Sequence, residues 1–149
     1  MKTPLEKLLN CISDVANRLI FLEKKFIHRH GDLRLHPSEI HLMQVIENDP
    51  QMNAGEMARA LGVTTGAVSQ TLSRLEKKGV VIKFKDRDRK NELTARFTIK
   101  GKEALEGFRS SRAEEWRNFS AYLESLSEED QERISGFLAR WNGFLKNLG

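Results

Sequence analysis

Cysteine is almost absent from this chain of 149 residues. Cys11 is the only one, so no disulfide can form within the chain. Prolines number three, too few to break up long helices. No apolar run approaches the roughly 20 residues that a membrane helix needs. Residues 1–10 lack the basic stretch, apolar core and small-residue cleavage site of a secretory signal. The expectation is a cytoplasmic protein that does not engage a membrane. No glycine-rich phosphate loop is present, and no nucleophile motif surrounds Cys11. The chain therefore reads as a protein that is not an enzyme and that needs no cofactor.

Histidines are few but crowded: His28, His30, His36 and His41. On a regular helix His28 and His30 point apart, and no cysteine lies near them. Zinc takes three or four convergent ligands, so no metal site is expected. The reading is a polar patch at a junction between helices, with one or two histidines at helix ends.

Charge is plentiful and unevenly spread. Residues 74–102 carry 11 Lys and Arg against 4 Asp and Glu, a net of +7, whereas residues 1–73 balance at zero and residues 103–149 sum to −3. A basic centre between neutral and acidic flanks suits one face to a polyanion.

Leu5, Leu8, Leu9, Ile12, Val15, Ala16, Leu19 and Ile20 recur at helical spacing, which predicts a helix from Leu5 to about His28. Phe21, Leu22, Phe26 and Ile27 widen its apolar surface beyond what one neighbour covers. Gly31-Asp32 marks a break. Pro37-Ser38-Glu39 opens a second helix with Ile40, Met43, Val45 and Ile46 on its apolar face, and Asn48-Asp49-Pro50 ends it. Asn53 and Glu56 have the spacing of a capping box before a short helix with Met57, Ala58 and Leu61. Gly62 suits a left-handed cap, and Thr64 can cap the next helix. That helix runs from about Thr65 to Lys78 with Ala67, Val68, Leu72 and Leu75 inward, and Gly79 stops it.

The period then changes from helical to two. Ile82 and Phe84 alternate with Lys83 and Lys85; Leu93, Ala95, Phe97 and Ile99 alternate with Thr94, Arg96, Thr98 and Lys100. This predicts two strands ending at Gly101, joined by the charged tip Asp86-Arg87-Asp88-Arg89-Lys90-Asn91. A long helix starting near Lys102 carries Leu105, Phe108, Trp116, Phe119 and Leu123. Ser127-Glu128-Glu129-Asp130 opens a last helix, whose acidic first turn suits the helix dipole. Ile134, Phe137, Leu138, Trp141, Phe144, Leu145 and Leu148 follow at three-four spacing and form a seam for other helices. The fold class is thus mainly α with a small β-hairpin.

Two helices joined by a tight turn at Gly62 form a helix-turn-helix. On the second, Thr64, Thr65, Gly66, Ser69, Gln70, Ser73 and Arg74 lie off the apolar stripe. Ser and Gln can bond base edges, Gly66 and Ala67 permit close approach, and Arg74 and Lys77 can reach phosphates of double-stranded DNA. The hairpin that follows brings Arg87, Arg89 and Lys90 to its tip, where an arginine can enter a minor groove. Asp86 and Asp88 are placed to orient these arginines by ion pairing. Helix-turn-helix, basic hairpin and positive segment coincide.

Residues 35–105 resemble the MarR family of regulators. The run MARALGVTTGAVSQTLSRLEKKGVV is similar to that family's helix-turn-helix core, and DRDRKNELTARFTIKG to its wing. The wing is about one residue longer than the family's common pattern, so the resemblance does not fix which arginine enters the groove. Phe97-Thr98 stands for the usual Leu-Thr. The resemblance implies a winged helix-turn-helix lobe at 35–101, flanked by dimerisation helices at 1–30 and 102–149. It implies a homodimer on a pseudo-palindromic operator, acting as a repressor that a small-molecule effector releases. Leu5, Leu8, Leu9, Ile12, Ile134, Phe137, Leu138, Trp141, Phe144 and Leu145 carry surplus apolar surface and would form the dimer interface. Trp116 and Trp141 read as core or dimer anchors. An effector pocket in this family's usual place would draw on Leu19–Phe26 and Ile40–Val45.

Cys11, among Leu8, Ile12 and Val15, is expected to be buried and inert. The alternatives are a winged-helix module that binds proteins without sequence-specific DNA recognition, and a redox- or metal-sensing regulator of the MarR type.

Overall fold

The computed structural model describes residues 2–90 and 92–148. The chain runs α1 (Pro4–Lys25), β1 (His28–His30), β2 (Leu33–Leu35), α2 (Pro37–Asn48), α3 (Ala54–Leu61), α4 (Thr65–Lys77), β3 (Val81–Asp86), β4 (Glu92–Phe97), α5 (Ile99–Glu124) and α6 (Glu128–Lys146). A 3-10 turn at Arg87–Arg89 lies between β3 and β4. Asn91, part of the charged tip, lies outside the described residues.

Side-chain caps fix most helix starts. Thr3, Asn53, Thr64, Thr98 and Ser127 each accept an N–H from the first turn of α1, α3, α4, α5 and α6. Asn53 and Glu56 form the expected reciprocal box, with both bonds at 2.8 Å. Gly62 ends α3 at φ 67°, a left-handed conformation that a side chain would strain. The tight turn into α4 depends on it.

One core holds α2, α3, α4, the β3–β4 hairpin and the start of α5 together. Leu35, Ile40, Met43, Ile46, Met57, Leu72, Leu75 and Leu105 are at most 2% exposed. Each contributes about 1.5–3 kcal/mol of burial. By contrast, neither α1 nor α6 buries a described residue within the chain.

The structure corrects four local expectations. First, α1 stops at Lys25, and His28–His30 pairs antiparallel with Leu33–Leu35 across a two-residue turn with Gly31 at φ 59°. Second, Val80 and Val81 supply the buried start of the wing, whereas Ile82 is 58% exposed and Thr94 is buried beside Ala95. Third, β4 ends at Phe97, and Thr98 caps a helix that already includes Ile99 and Gly101. Gly101 is required because a Cβ there would sit 2.1 Å from the Val80 carbonyl oxygen. The long helix therefore begins three residues before Lys102. Fourth, Cys11 is exposed on α1 within the chain.

His28 lies in the junction the histidine cluster was expected to occupy, but it is buried there, whereas His36 stands at the N-cap position of α2. Its ring meets Phe108 edge-on at 5.4 Å, and Nε2 has no hydrogen-bond partner among the described residues. Burial, then the neighbouring His30, pushes its pKa below the ordinary 6.5, against smaller opposing effects from the Ala104 backbone and Glu115. The unfolded chain therefore binds this proton more readily than the folded one. Stability contributed by neutral His28 is complete above pH 6.5 and falls away as the pH drops through the lowered native value. Thermal melts should show this acid-side loss, and His28→Phe should reduce it. An identical pH profile in the variant would remove His28 from the account.

Candidate nucleic-acid interface

Helix α4 separates its faces cleanly. Val68, Thr71, Leu72 and Leu75 are buried, while Thr64, Thr65, Gly66, Gln70, Arg74 and Lys77 are exposed. Ser69 and Ser73 are half-buried at the edge of the outer face. Ala67 is exposed as well, although its spacing suggested an inward position. Ser69, Gln70, Ser73, Arg74 and Lys77 line one shallow open groove. The face has an uncharged N-terminal half and a cationic C-terminal half.

Several of these groups are already engaged. The Ser73 hydroxyl donates to the Ser69 carbonyl at 2.9 Å and accepts from Lys83 Nζ at 3.0 Å. Arg74 donates to the Thr71 hydroxyl at 2.8 Å. Thr64 is committed to its cap on Ala67. Thr65 and Gln70 have no side-chain partner among the described residues, which leaves them open to a ligand.

An ion pair that sequence reasoning missed sets the orientation of α4. Glu39 is fully buried, and its carboxylate accepts the His36 N–H at 2.8 Å and Lys78 Nζ at 2.7 Å. Lys78 also donates to the Arg34 carbonyl, and Arg74 Nε lies 3.9 Å from Glu39. This cluster joins β2, the start of α2 and the end of α4. The Pro37-Ser38-Glu39 run signalled a helix start, but it carried no sign that the third residue would be buried beside a lysine 39 positions away.

The wing is an antiparallel pair in register Val81↔Phe97 to Asp86↔Glu92. Its first strand is anchored to α4 by Glu76, which accepts the Lys83 N–H at 3.1 Å and pairs with Lys83 Nζ at 3.1 Å. The Lys83 amide and ammonium hold the Glu76 carboxyl below the usual carboxylate range. Arg96 stacks over Phe84 at 4.7 Å. Lys85, Arg87 and Lys90 are exposed toward the tip, and Lys90 takes a left-handed φ of 55°.

The wing arginines are not oriented by Asp86 and Asp88. Among the described residues neither aspartate pairs with an arginine; Asp86 instead accepts the Asp88 N–H at 3.0 Å and shapes the 3-10 turn. The local turn takes up that carboxylate before a long side chain can reach it. Arg89 folds away from the tip onto α3. Its guanidinium lies 2.9 Å from Glu56 and 3.5 Å from Glu92, and also donates to the Gln51 carbonyl. Arg87 is exposed and has no hydrogen bond or ion pair among the described residues.

On the terminal helices, Leu5, Leu8 and Leu9 are exposed on α1, and Ile134, Phe137, Leu138, Phe144 and Leu145 on α6, each by 39% or more. Ile12 and Trp141 are half-buried, the latter stacked on Phe137. Trp116 is 45% exposed on α5 and packs edge-on with Phe119. It anchors no core within the chain. Among the described residues no three metal-ligating side chains converge, and no helix is long and apolar enough to cross a membrane.

Comparison with known proteins fits this geometry. Residues 35–91 match the model of the MarR family. The HTH-type transcriptional regulator YdgJ of Bacillus subtilis, itself uncharacterized, is 23% identical over 111 residues, which span 74% of this chain and 66% of YdgJ. Streptococcus pneumoniae FabT, solved in complex with DNA, superposes with a TM-score of 0.76 at 19% identity, covering 97% of this chain and 99% of FabT. The MepR–DNA complex of S. aureus gives 0.64 at 21% identity, with 97% and 99% covered. The adhesin competence repressor AdcR of Streptococcus pyogenes gives 0.67 at 16% identity, also with 97% and 99% covered. With the helix-turn-helix closed at Gly62, the wing sewn to α4 through Glu76, and a family match over that same lobe, residues 35–91 match the MarR family and the chain has the fold of these winged helix-turn-helix proteins.

Proposed function

We propose that this chain is a ligand-responsive transcription repressor that binds a pseudo-palindromic operator as a homodimer. The observation that carries the reading is the exposed, uncharged N-terminal face of α4 beside a basic wing. Thr65, Gly66, Ala67, Ser69 and Gln70 read base edges in a major groove; Arg74 and Lys77 hold the flanking backbone. Arg87 and Lys90 approach the adjacent minor groove. FabT and MepR, with this fold, have been crystallised on DNA, which supports the same use of the lobe here.

Dimerisation is supported by the uncovered apolar faces of α1 and α6. Residues 1–30 and 102–149 form the stem, and 35–101 the reading lobe. A twofold stem places two α4 helices on half-sites about one helical turn (~34–36 Å) apart. A small-molecule effector acts where the stem meets the lobe, near Leu19–Phe26 and Ile40–Val45. The naming of AdcR as a repressor supports repression over activation.

Selection of bound sequences from a random duplex pool tests the reading. The recovered site should be twofold symmetric. On any duplex, neutralising ~8 phosphates should give a log-log salt slope near −7. No enrichment together with a salt-independent response would overturn the reading and favour a protein-interaction module. Within the selected site, Gln70→Ala should cost about 1–3 kcal/mol on operator while leaving random duplex nearly unchanged. Equal losses on both would remove Gln70 from base reading.

A further inference from the structure

The tip of the wing holds three cations in four residues, and they are not equivalent. We propose that Arg89 is a positioning residue that clamps the wing to α3, and that Arg87 and Lys90 alone face the nucleic acid. The proposal rests on the DNA-binding reading above and assigns roles within it.

Arg89 reaches three separate acceptors: the Glu56 carboxylate at 2.9 Å, the Glu92 carboxylate at 3.5 Å and the Gln51 carbonyl. Glu92 is held in turn by Asn53 Nδ2 at 2.7 Å. Glu56 serves two structures at once. One oxygen closes the capping box on the Asn53 N–H at 2.8 Å, and the other receives Arg89. The α2–α3 loop, the start of α3 and both sides of the wing's turn therefore meet at one guanidinium. The bond to Glu56 raises the Arg89 pKa, while the Asn53 N–H, then Arg89, lower that of Glu56. Each charged form favours the other.

Charge accounting gives the direction of the effect. If Arg89 swung out to a phosphate, Glu56 and Glu92 would remain at the wing root without their cation. Two uncompensated carboxylates would then stand beside a polyanion, and their repulsion would oppose the attraction between guanidinium and phosphate. Arg87 faces no such conflict, because it is exposed and makes no pair among the described residues. Lys90 is likewise exposed at its left-handed turn position.

The test uses the full chain and a random-sequence duplex of about 30 base pairs, long enough for two half-sites. Affinity is followed across a salt series for Arg87→Ala, Arg89→Ala, Glu56→Gln and the Arg89→Ala/Glu56→Gln double variant. Glutamine keeps the capping box, so Glu56→Gln should fold normally. Arg87→Ala should make the slope shallower by about 0.9 per protomer. Arg89→Ala should weaken binding about tenfold with the slope unchanged. Glu56→Gln should also weaken binding, and the double variant should be no worse than Arg89→Ala alone. A direct contact predicts the opposite signs. Releasing Arg89 by Glu56→Gln would then tighten binding, and Arg89→Ala would flatten the slope as Arg87→Ala does. Either result overturns the clamp. A salt-independent response from the unaltered chain removes the DNA reading itself, and the clamp with it.

Discussion

Leu8→Glu combined with Phe137→Glu should leave the chain monomeric and weaken its binding to a two-half-site duplex by about 10²–10⁴-fold. The two side chains are 50% and 40% exposed within the chain, on helices that bury none of their described residues internally. In the proposed homodimer these helices would be covered by the second copy, and permanent homodimers commonly bury 2,000 Å² or more (~2,000–5,000 Å²). Placing one carboxylate on each helix puts four unpaired charges into such an interface. The reading lobe should stay folded, because neither residue belongs to its core. Sedimentation velocity reads the mass, and circular dichroism confirms the fold. A variant that still sediments as a dimer with unaltered operator affinity would mean that these helices pair elsewhere or not at all.

Glu39→Ala should lower stability by about 2–4 kcal/mol, or the melting temperature by roughly 5–15 °C. The carboxylate is fully buried and satisfies Lys78, the His36 N–H and, more distantly, Arg74. Removing it loses the helix cap and strands a lysine ammonium. The Lys78 side chain is 27% exposed, so water recovers part of that charge and holds the loss below that of a fully enclosed pair. Glu39→Gln should lose less, because an amide still accepts the His36 N–H. Differential scanning calorimetry separates the two variants. Equal melting of Glu39→Ala and the unaltered chain would show that the cluster is ornamental to stability.

Much of the lobe was legible because its signals are local. Asn53 with Glu56, Gly62, Thr64 and Gly79 each mark a boundary through their own backbone chemistry, and those boundaries appear where expected. The β1–β2 hairpin was equally local, yet the helical period of α1 masked it. His28-Arg29-His30 and Leu33-Arg34-Leu35 alternate around Gly31-Asp32, a two-residue turn of the kind that makes hairpins. The start of α5 was hidden by a similar competition. Thr98-Ile99 continues the alternation of β4, so a helix cap resembled one more strand residue.

Distant pairings left no trace in the sequence. Arg89 has Asp86 and Asp88 close by, but its partner Glu56 stands 33 positions away, and only the packing of the wing on α3 brings them together. The exposed face of α4, Ala67 aside, follows from helical spacing alone, whereas the placement of the wing cations required three-dimensional information. Cys11 shows the same limit. Its apolar neighbours suggested burial, but they lie on a helix that has no cover within its own chain.

The Thr98 hydroxyl donates to the Gly79 carbonyl at 2.6 Å and accepts the Gly101 N–H at 3.0 Å, with Gly101 seated against the Val80 backbone. Only Lys78, Gly79 and Val80 separate the end of α4 from the start of β3, so the root of α5 is tied directly to the end of α4 at this joint. The joint is tied twice, through the Thr98 hydroxyl and through Gly101 against Val80, in the manner of a welded elbow. In the proposed dimer, tilting the shaft would carry the far fingertip with it, so a change of angle along the shaft would reset the reach between two such hands.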